Sequence, residues 1–437
     1  MDMPKQLQKL TDALSAGQSS QARAMLLQLF DESTFVEIDR LVKDDDKPAE
    51  VVVGYGMVDG SPSYAFAQDR NVYNGAIGKV QALKILKIYE LAAQNGVPVV
   101  GIFDSDGAKL GEGVDAMDAI AEILLASNNI SGVVPQIAVI TGACVGSSAI
   151  IAANADIVVS VKDADYYLNP GDENAEAAVM VEDAHAALNK ARDIISMLPS
   201  NNLTAPAAYD FDSLDMLSCE NIDGVIEAVA DNGTAIVLGR GSNQTAFARV
   251  GGIVCGMVGL SQEKISREEA SRIARFVRLC DGFTLPVITF VDSAGFESLE
   301  GAAKLSHAYA EATTAKITVI VGKAYGSAYI AAAGKSAGSD IVLAWPTAVI
   351  LPLAPIAAIH IFWKDRLGDM TNPTQDREKL AEEFAEEQGD ALTAAAKGVV
   401  SDVIPPSETK SRIVSTLEML SGKRVSRLPK KHSNIVL

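Results

Sequence analysis

Apolar runs and amphipathic stretches alternate along most of this chain. Residues 1–30 read as helical, closing on Leu26, Leu27 and Phe30, and Phe35-Val-Glu-Ile-Asp39 then alternates as a half-buried strand does. Lys43-Asp-Asp-Asp-Lys-Pro48 predicts a charged, solvated turn. Val51 to Gly60 predicts a hairpin turning at Asp59-Gly60, with Pro62 to Ala67 as the return strand. From there the pattern predicts a helix (Lys79 to Gln94), a strand (Val97 to Asp104), a glycine loop and a helix (Val114 to Ser127). A strand (Pro135 to Thr141), a second glycine loop and a helix follow. That alternation predicts strands joined by crossovers, with helices outside.

The second half repeats the order. Ala246 to Leu260 is another glycine-rich hairpin, and Ile273, Phe276, Val277 and Cys280 mark one face of a helix. Leu285-Pro-Val-Ile-Thr-Phe-Val-Asp292 answers Val97-Pro-Val-Val-Gly-Ile-Phe-Asp104, pairing Pro98 with Pro286 and Gly107 with Gly295 at an offset of 188. Ile137 to Ser148 answers Ile317 to Ala328 at an offset of 180, and Asp156-Ile-Val-Val159 answers Asp340-Ile-Val-Leu343. Three matched blocks in one order make an internal repeat. Turn residues in Leu198-Pro-Ser-Asn-Asn-Leu-Thr-Ala-Pro206 place the boundary within Leu198 to Cys219, giving domains 1–210 and 211–437.

Composition adjusts this picture in three places. The net charge of −19 argues against non-specific binding to nucleic acid or anionic membrane, though local N–H clusters still suit an anionic small ligand. The four cysteines, Cys144, Cys219, Cys255 and Cys280, are scattered without CxxC spacing, so no metal site is expected and a reducing cytoplasm is. The uncharged run Ile341 to Trp363 is long, but Pro346, Pro352, Pro355 and His360 interrupt it. It predicts buried strands and turns in a soluble core, not a membrane span.

Each half carries a strand, then G-x-x-x-G-S, then an Ala/Ile-rich helix: Gly142-Ala-Cys-Val-Gly-Ser147 and Gly322-Lys-Ala-Tyr-Gly-Ser327. Neither is a phosphate loop or a dinucleotide fingerprint. Small residues at a helix start let a substrate approach backbone N–H groups, which suits an oxyanion hole in each half. Close helix–strand packing explains the same residues. No histidine sits in a triad-like setting, packing is the favoured role for Cys144, and Asp104 and Asp292 end strands where helix capping is a ready alternative to function.

Nearly end to end, these motifs resemble the carboxyltransferase component of biotin-dependent acyl-CoA carboxylases, of the propionyl-CoA carboxylase β-subunit type, in the crotonase superfamily. The resemblance runs through Ser33-Thr-Phe-Val-Glu-Ile-Asp39, Gly132-Val-Val-Pro-Gln-Ile137, Leu198-Pro-Ser-Asn-Asn202, Ala274 to Asp281, Lys323-Ala-Tyr-Gly-Ser-Ala-Tyr329, Ala344-Trp-Pro-Thr-Ala348 and Lys431-His-Ser-Asn-Ile435. It implies an α/β chain of two tandem crotonase-like (ClpP/crotonase) β-β-α superhelix domains, the first on the acyl-CoA side and the second on the biotin side. It also implies a reaction without a side-chain nucleophile, in which an enolate of a CoA thioester exchanges a carboxyl group with biotin on a separate carrier protein. The first loop would hold the thioester oxygen through the N–H groups of Gly146 and Ser147. The second, turning at Gly326, would hold the ureido oxygen through those of Ser327 and Ala328.

Asp104, Ser105, Asp106, Gly107, Ala108 and Lys109 would lie along the CoA, with Cys144, Tyr325, Tyr329 and Ile330 completing the substrate surroundings. The implied assembly is a homo-oligomer built from dimers, a hexamer. Its partners would be a biotin carboxyl carrier protein and either a biotin carboxylase or a membrane decarboxylase subunit. This sequence departs from the family in three ways. Ser147 and Ser327 stand for the second glycine of each loop, and Asp104-Ser-Asp-Gly-Ala-Lys109 stands for D-S-G-G-A-R. The stretches around Asn169 to Ala184 and after Gly295 are short. Two alternatives stay open: the α subunit of a sodium-pumping methylmalonyl- or glutaconyl-CoA decarboxylase, and a non-catalytic structural paralogue.

Overall fold

The Asp59-Gly60 turn sets the register of the first sheet. In the computed structural model both residues have positive φ, 49° and 76°, matching the twist of a two-residue hairpin. They join β2 (Val51–Val58) to β3 (Ser61–Gln68), antiparallel, with β1 (Val36–Ile38) on the outer side of β2. The structure describes residues 3–15, 20–44, 47–49, 51–211, 213–215, 219, 221–239, 243–261, 263–367 and 373–434. Positions 45, 46 and 435 and parts of the expected boundary stretch lie outside these. The chain divides into two units, Met1–Ala205 and Pro206–Leu437.

In the first unit every later strand joins in parallel: β4 (Val99–Ser105), β5 (Gln136–Val145), β6 (Ile157–Val161) and β8 (Val179–Val181), with β7 (Asp165–Tyr167) pairing the far end of β5. The crossovers are α3 (Lys79–Asn95), α4 (Val114–Asn129) and α5 (Ser147–Asn154), and α6 (Ala184–Met197) closes the unit, which opens with α1 (Met3–Ser15) and α2 (Gln21–Leu29). β4 to β6 are buried on both faces, as parallel strands under helices are.

The second unit repeats this order. Strands β9 (Ile236–Leu238), β10 (Gln244–Val250), β11 (Ile253–Leu260), β12 (Val287–Ser293), β13 (Lys316–Tyr325), β14 (Ile341–Ala344) and β16 (Asp402–Val403) lie side by side, and β15 (Val349–Leu351) pairs the far end of β13. Its crossover helices are α7 (Arg267–Gly282) and α8 (Leu299–Glu311). Ser266 and Glu269 form a capping box at the start of α7, and Ile273, Phe276, Val277 and Cys280 form its buried face. After Gly326 the helix loosens into a π-helical turn, Tyr329–Ala333.

Two expectations change. In the charged segment at 43–48, expected as a solvated turn, Lys43–Asp44 and Lys47–Pro48 pair as short strands, and Asp44 is buried at 6 % exposure, accepting hydrogen bonds from Gln81 and Lys109. The run Ile341 to Trp363 holds β14 and β15 but ends in a helix, Pro355–Phe362, because proline fits the first helical turn where no N–H is needed. Ile361 and Phe362 on it are exposed. Among the described residues no helix is long and apolar enough to cross a membrane.

Trp345 anchors the second core. It is fully buried among Val250, Val319, Val321 and Val414, and its Nε1–H donates to Thr409 Oγ1 at 2.9 Å. Trp345→Ala should cost about 3–5 kcal/mol of unfolding free energy through lost burial and an unfilled cavity. Urea titration would show this as a lower midpoint with an unchanged slope.

Candidate functional site

Both glycine motifs start inside a strand. β5 runs through Gly142 to Val145 and β13 through Gly322 to Tyr325, so only Gly146 and Gly326 turn the chain. The register between β4 and β5 jumps after Phe103↔Ile140 to Ser105↔Cys144, and the same jump separates Val291↔Ile320 from Ser293↔Ala324. Asp104 and Asp292 stand at these bulges. The Asp104 carboxylate accepts the Ala143 N–H at 3.1 Å and fills the space a Cβ on Gly142 would need. Asp292 accepts the Lys323 N–H at 2.8 Å and does the same against Gly322. Neither carboxylate caps a helix, contrary to the capping alternative; each instead accepts a backbone N–H across its bulge.

Gly146 has φ 60° and ψ −125°, which only glycine adopts readily, and it lets the chain leave β5 and start α5 at Ser147. Its own N–H donates to Tyr167 O at 3.0 Å, on β7. Gly326, with φ 44°, donates likewise to Leu351 O at 2.9 Å, on β15. Gly146 therefore has no N–H to give an oxyanion, and the expectation that it does is corrected: the open donors start one residue later. Among the described residues the N–H groups of Ser147 and Ser148, at the first turn of α5, have no protein acceptor, and neither have those of Ser327 and Ala328.

Each pair has a companion on the neighbouring loop. Ile77 pairs with Ala108 through Ile77 N–H to Gly107 O (2.8 Å) and Lys109 N–H to Ile77 O (2.9 Å), which leaves the Ala108 N–H without an acceptor among the described residues. Ile265 and Phe296 repeat this, leaving the Phe296 N–H open. The loops meet the helix starts closely. A Cβ on Gly107 would stand 3.5 Å from Ser147 N, and one on Gly295 2.8 Å from Ser327 Oγ. Ser105, fully buried, ties loop to helix: its Oγ accepts from Ser148 Oγ–H (2.8 Å) and Gly107 N–H (3.1 Å). Unbonded N–H groups at a helix start favour negative charge, so each unit holds an anion-stabilising point.

Other candidates fall elsewhere. The Lys109 ammonium pairs with Asp44 and with Glu112 (3.2 Å) and lies 4.6 Å over the Tyr73 ring, so its charge is used internally. Asp106 is exposed and pairs with Arg70 at 3.0 Å, an arginine that also meets Asp104 at 3.4 Å. Cys144 is fully buried, its thiol pushed far up by burial and then by Asp104, which fits packing and not substrate contact. Tyr325 is buried against Leu351, its phenol pushed up to about 12 by burial first and then by Glu263 and Asp292. Tyr329 Oη–H donates to Val399 O at 2.9 Å, and Ile330 is 69 % exposed. Both line a cleft of about 290 Å³ with Leu351, Pro352, Gln388 and Lys397, next to Gly326. Among the described residues no cluster of His, Cys, Asp or Glu is arranged to hold a metal ion.

Arg70 and Phe296 were missed from sequence. Phe296 lies 188 residues after Ala108, the offset that links Gly107 to Gly295, so the repeat carried the signal. Likewise the offset of 180 pairs Ser147 and Ser148, not Gly146 and Ser147, with Ser327 and Ala328.

Duplicated β-β-α units, each with backbone donors gathered at a helix start, define a tandem crotonase-like protein. The chain matches the Carboxyl transferase domain over residues 19–176 and 170–435, and it belongs to that family. Methylmalonyl-CoA decarboxylase subunit alpha of Propionigenium modestum is 35 % identical, over 95 % of this chain and 93 % of that protein. Propionyl-CoA carboxylase beta chain of Saccharopolyspora erythraea is 33 % identical, over 95 % and 90 %. Among solved structures, a transcarboxylase 12S hexamer assembly with methylmalonyl-coenzyme A and methylmalonic acid bound matches at a TM-score of 0.89 and 28 % identity, covering 100 % of both chains.

The burial pattern predicts a chemical outcome. Burial raises all four thiols, but Cys144, Cys255 and Cys280 are fully buried and out of a reagent's reach, whereas Cys219 is partly exposed. Thiolate is the reacting form, so iodoacetamide at neutral pH should label Cys219 alone on the native chain. Peptide mapping checks this; labelling of Cys144 at a similar rate would contradict its burial.

Proposed function

We propose that this chain is the carboxyltransferase subunit that moves a carboxyl group between biotin on a separate carrier protein and a short-chain acyl-CoA of the propionyl-/methylmalonyl-CoA type. What carries the reading is the pair of open donor sets, one in each unit. Removing the α-hydrogen of a thioester puts negative charge on its oxygen. Donors already fixed in place stabilise that charge without reorganisation. In the first unit the N–H groups of Ala108, Ser147 and Ser148 are the donors for this oxygen.

Bound biotin supplies a ureido group that carries the carboxyl and has one carbonyl oxygen. The N–H groups of Phe296, Ser327 and Ala328 fit that oxygen, and the neighbouring cleft, apolar at Tyr329, Ile330, Leu351 and Pro352, fits the rest of a small bicyclic group. The acyl-CoA side is thus assigned to 1–210 and the biotin side to 211–437. The hexamer of the matched transcarboxylase supports a dimer-based homo-oligomer here. The relatives are named as single subunits, which supports partner subunits; the partners proposed are a biotin carboxyl carrier protein and either a biotin carboxylase or a membrane decarboxylase subunit, and the proposed location is the cytoplasm.

The relative named as a methylmalonyl-CoA decarboxylase subunit favours a second direction, from acyl-CoA to biotin. The same donors serve both directions. The non-catalytic alternative loses support because both donor sets are open despite the shortened loops.

Incubating the purified chain with free biotin and methylmalonyl-CoA should give biotin-dependent formation of propionyl-CoA. No transfer, together with no CoA binding by calorimetry, would overturn the proposal. Ser327→Pro keeps a residue suited to the first helical position but deletes an N–H. It should lower the transfer rate about 10²–10³-fold while size-exclusion chromatography shows an unchanged oligomer.

A further inference from the structure

Ser147 and Ser327, which stand where the resembled family has glycine, each add a hydroxyl beside the open backbone donors. Ser147 Oγ is buried, and among the described residues no hydrogen-bond partner reaches it. It faces Gly107, whose Cβ, if present, would lie 3.4 Å away, and it therefore sits beside the loop that bears the open Ala108 N–H. An unpaired buried hydroxyl is unfavourable, whereas glycine or alanine at 147 would leave nothing unsatisfied. Packing does not call for this group. In the second unit Ser327 takes the same place in the repeat, with its Oγ against Gly295, the residue before Phe296 with its open N–H, but here the side chain is exposed. Two separate loops of this chain thus carry the same hydroxyl at the same point of the same donor set.

Resting on the carboxyltransferase reading, we infer that each hydroxyl is a further oxyanion donor: Ser147 to the thioester oxygen, and Ser327 to the ureido oxygen of biotin. Each donates a hydrogen bond only, and no bond to serine oxygen forms or breaks. Serine has a single heavy-atom side-chain torsion with three staggered positions, so Ser147 can turn from Gly107 toward an arriving oxygen without backbone movement. Its hydroxyl is unsatisfied in the free protein, and a bond to a negatively charged oxygen is stronger than one to a neutral carbonyl. The gain therefore grows as charge develops, which raises the rate more than it tightens ground-state binding.

The test compares Ser147→Ala, Ser147→Gly, Ser327→Ala, Ser327→Gly and Ser327→Thr in transfer from methylmalonyl-CoA to free biotin, with thermal unfolding of each. The alanine and glycine variants should lose about 10²-fold in kcat, the lower end of the loss for removing one oxyanion donor. KM for methylmalonyl-CoA and Tm should stay near those of the wild type. Ser327→Thr, which keeps the hydroxyl on a partly open site, should restore most of the rate. Wild-type kcat in both glycine variants, or no rescue by threonine, would overturn the inference and leave the carboxyltransferase reading standing. A wild-type chain that transfers nothing would remove that reading, and this inference with it.

Discussion

A carboxylate inside a strand bulge is the constraint on which both sites depend. Where β4 meets β5, and again where β12 meets β13, the ladder skips residues, and the aspartate at the skip accepts the orphaned N–H across it. A bulge bends and re-aims a strand. Here it carries the far ends of β5 and β13 away from the main ladder, where the short strands β7 and β15 can pair with them. Those short strands in turn take the N–H groups of Gly146 and Gly326. With the glycine donors committed, the next N–H groups along are the ones left facing outward. Asp104 and Asp292 shape this geometry, and each needs glycine opposite because the carboxylate takes the volume of a side chain.

The duplication then has a chemical meaning. A carboxyl transfer between two carbonyl compounds develops charge on two oxygens, and one hole cannot serve both. Two copies of one bulge, one turn and one helix start supply two holes of the same construction. They differ at their margins. Both keep a buried serine on the loop, Ser105 and Ser293, but the buried Ser148 of the first is Ala328 in the second, which opens onto a cleft with exposed Ile330. These differences suit two different ligands held by one kind of contact.

The strongly acidic composition does not contradict anionic substrates, because the charges near the first hole are paired among themselves. Arg70 meets Asp104 and Asp106, and Lys109 meets Asp44 and Glu112. Such pairs fix loops at modest net energy. Neutral donors at the helix start need no counter-charge, so they stay open while these charges pair among themselves.

Much of this was legible in the linear pattern. Element order, the hairpin at Asp59-Gly60, the helical face of Ile273 to Cys280 and the internal repeat all follow from local periodicity and turn chemistry, which act between near neighbours. The repeat even held the correct register of the donors, since Ser147 and Ser148 align with Ser327 and Ala328. What the linear pattern could not express is which N–H is already taken. Gly146 is committed to Tyr167, Asp104 to Ala143, and Lys109 to Asp44 across 65 residues, and each of those contacts exists only once separate strands and loops are brought together. Residue type and spacing therefore determined that this chain has two strand–glycine–helix turns able to hold charge. Tertiary pairing, by using up some donors, decided which N–H groups in each turn stay open.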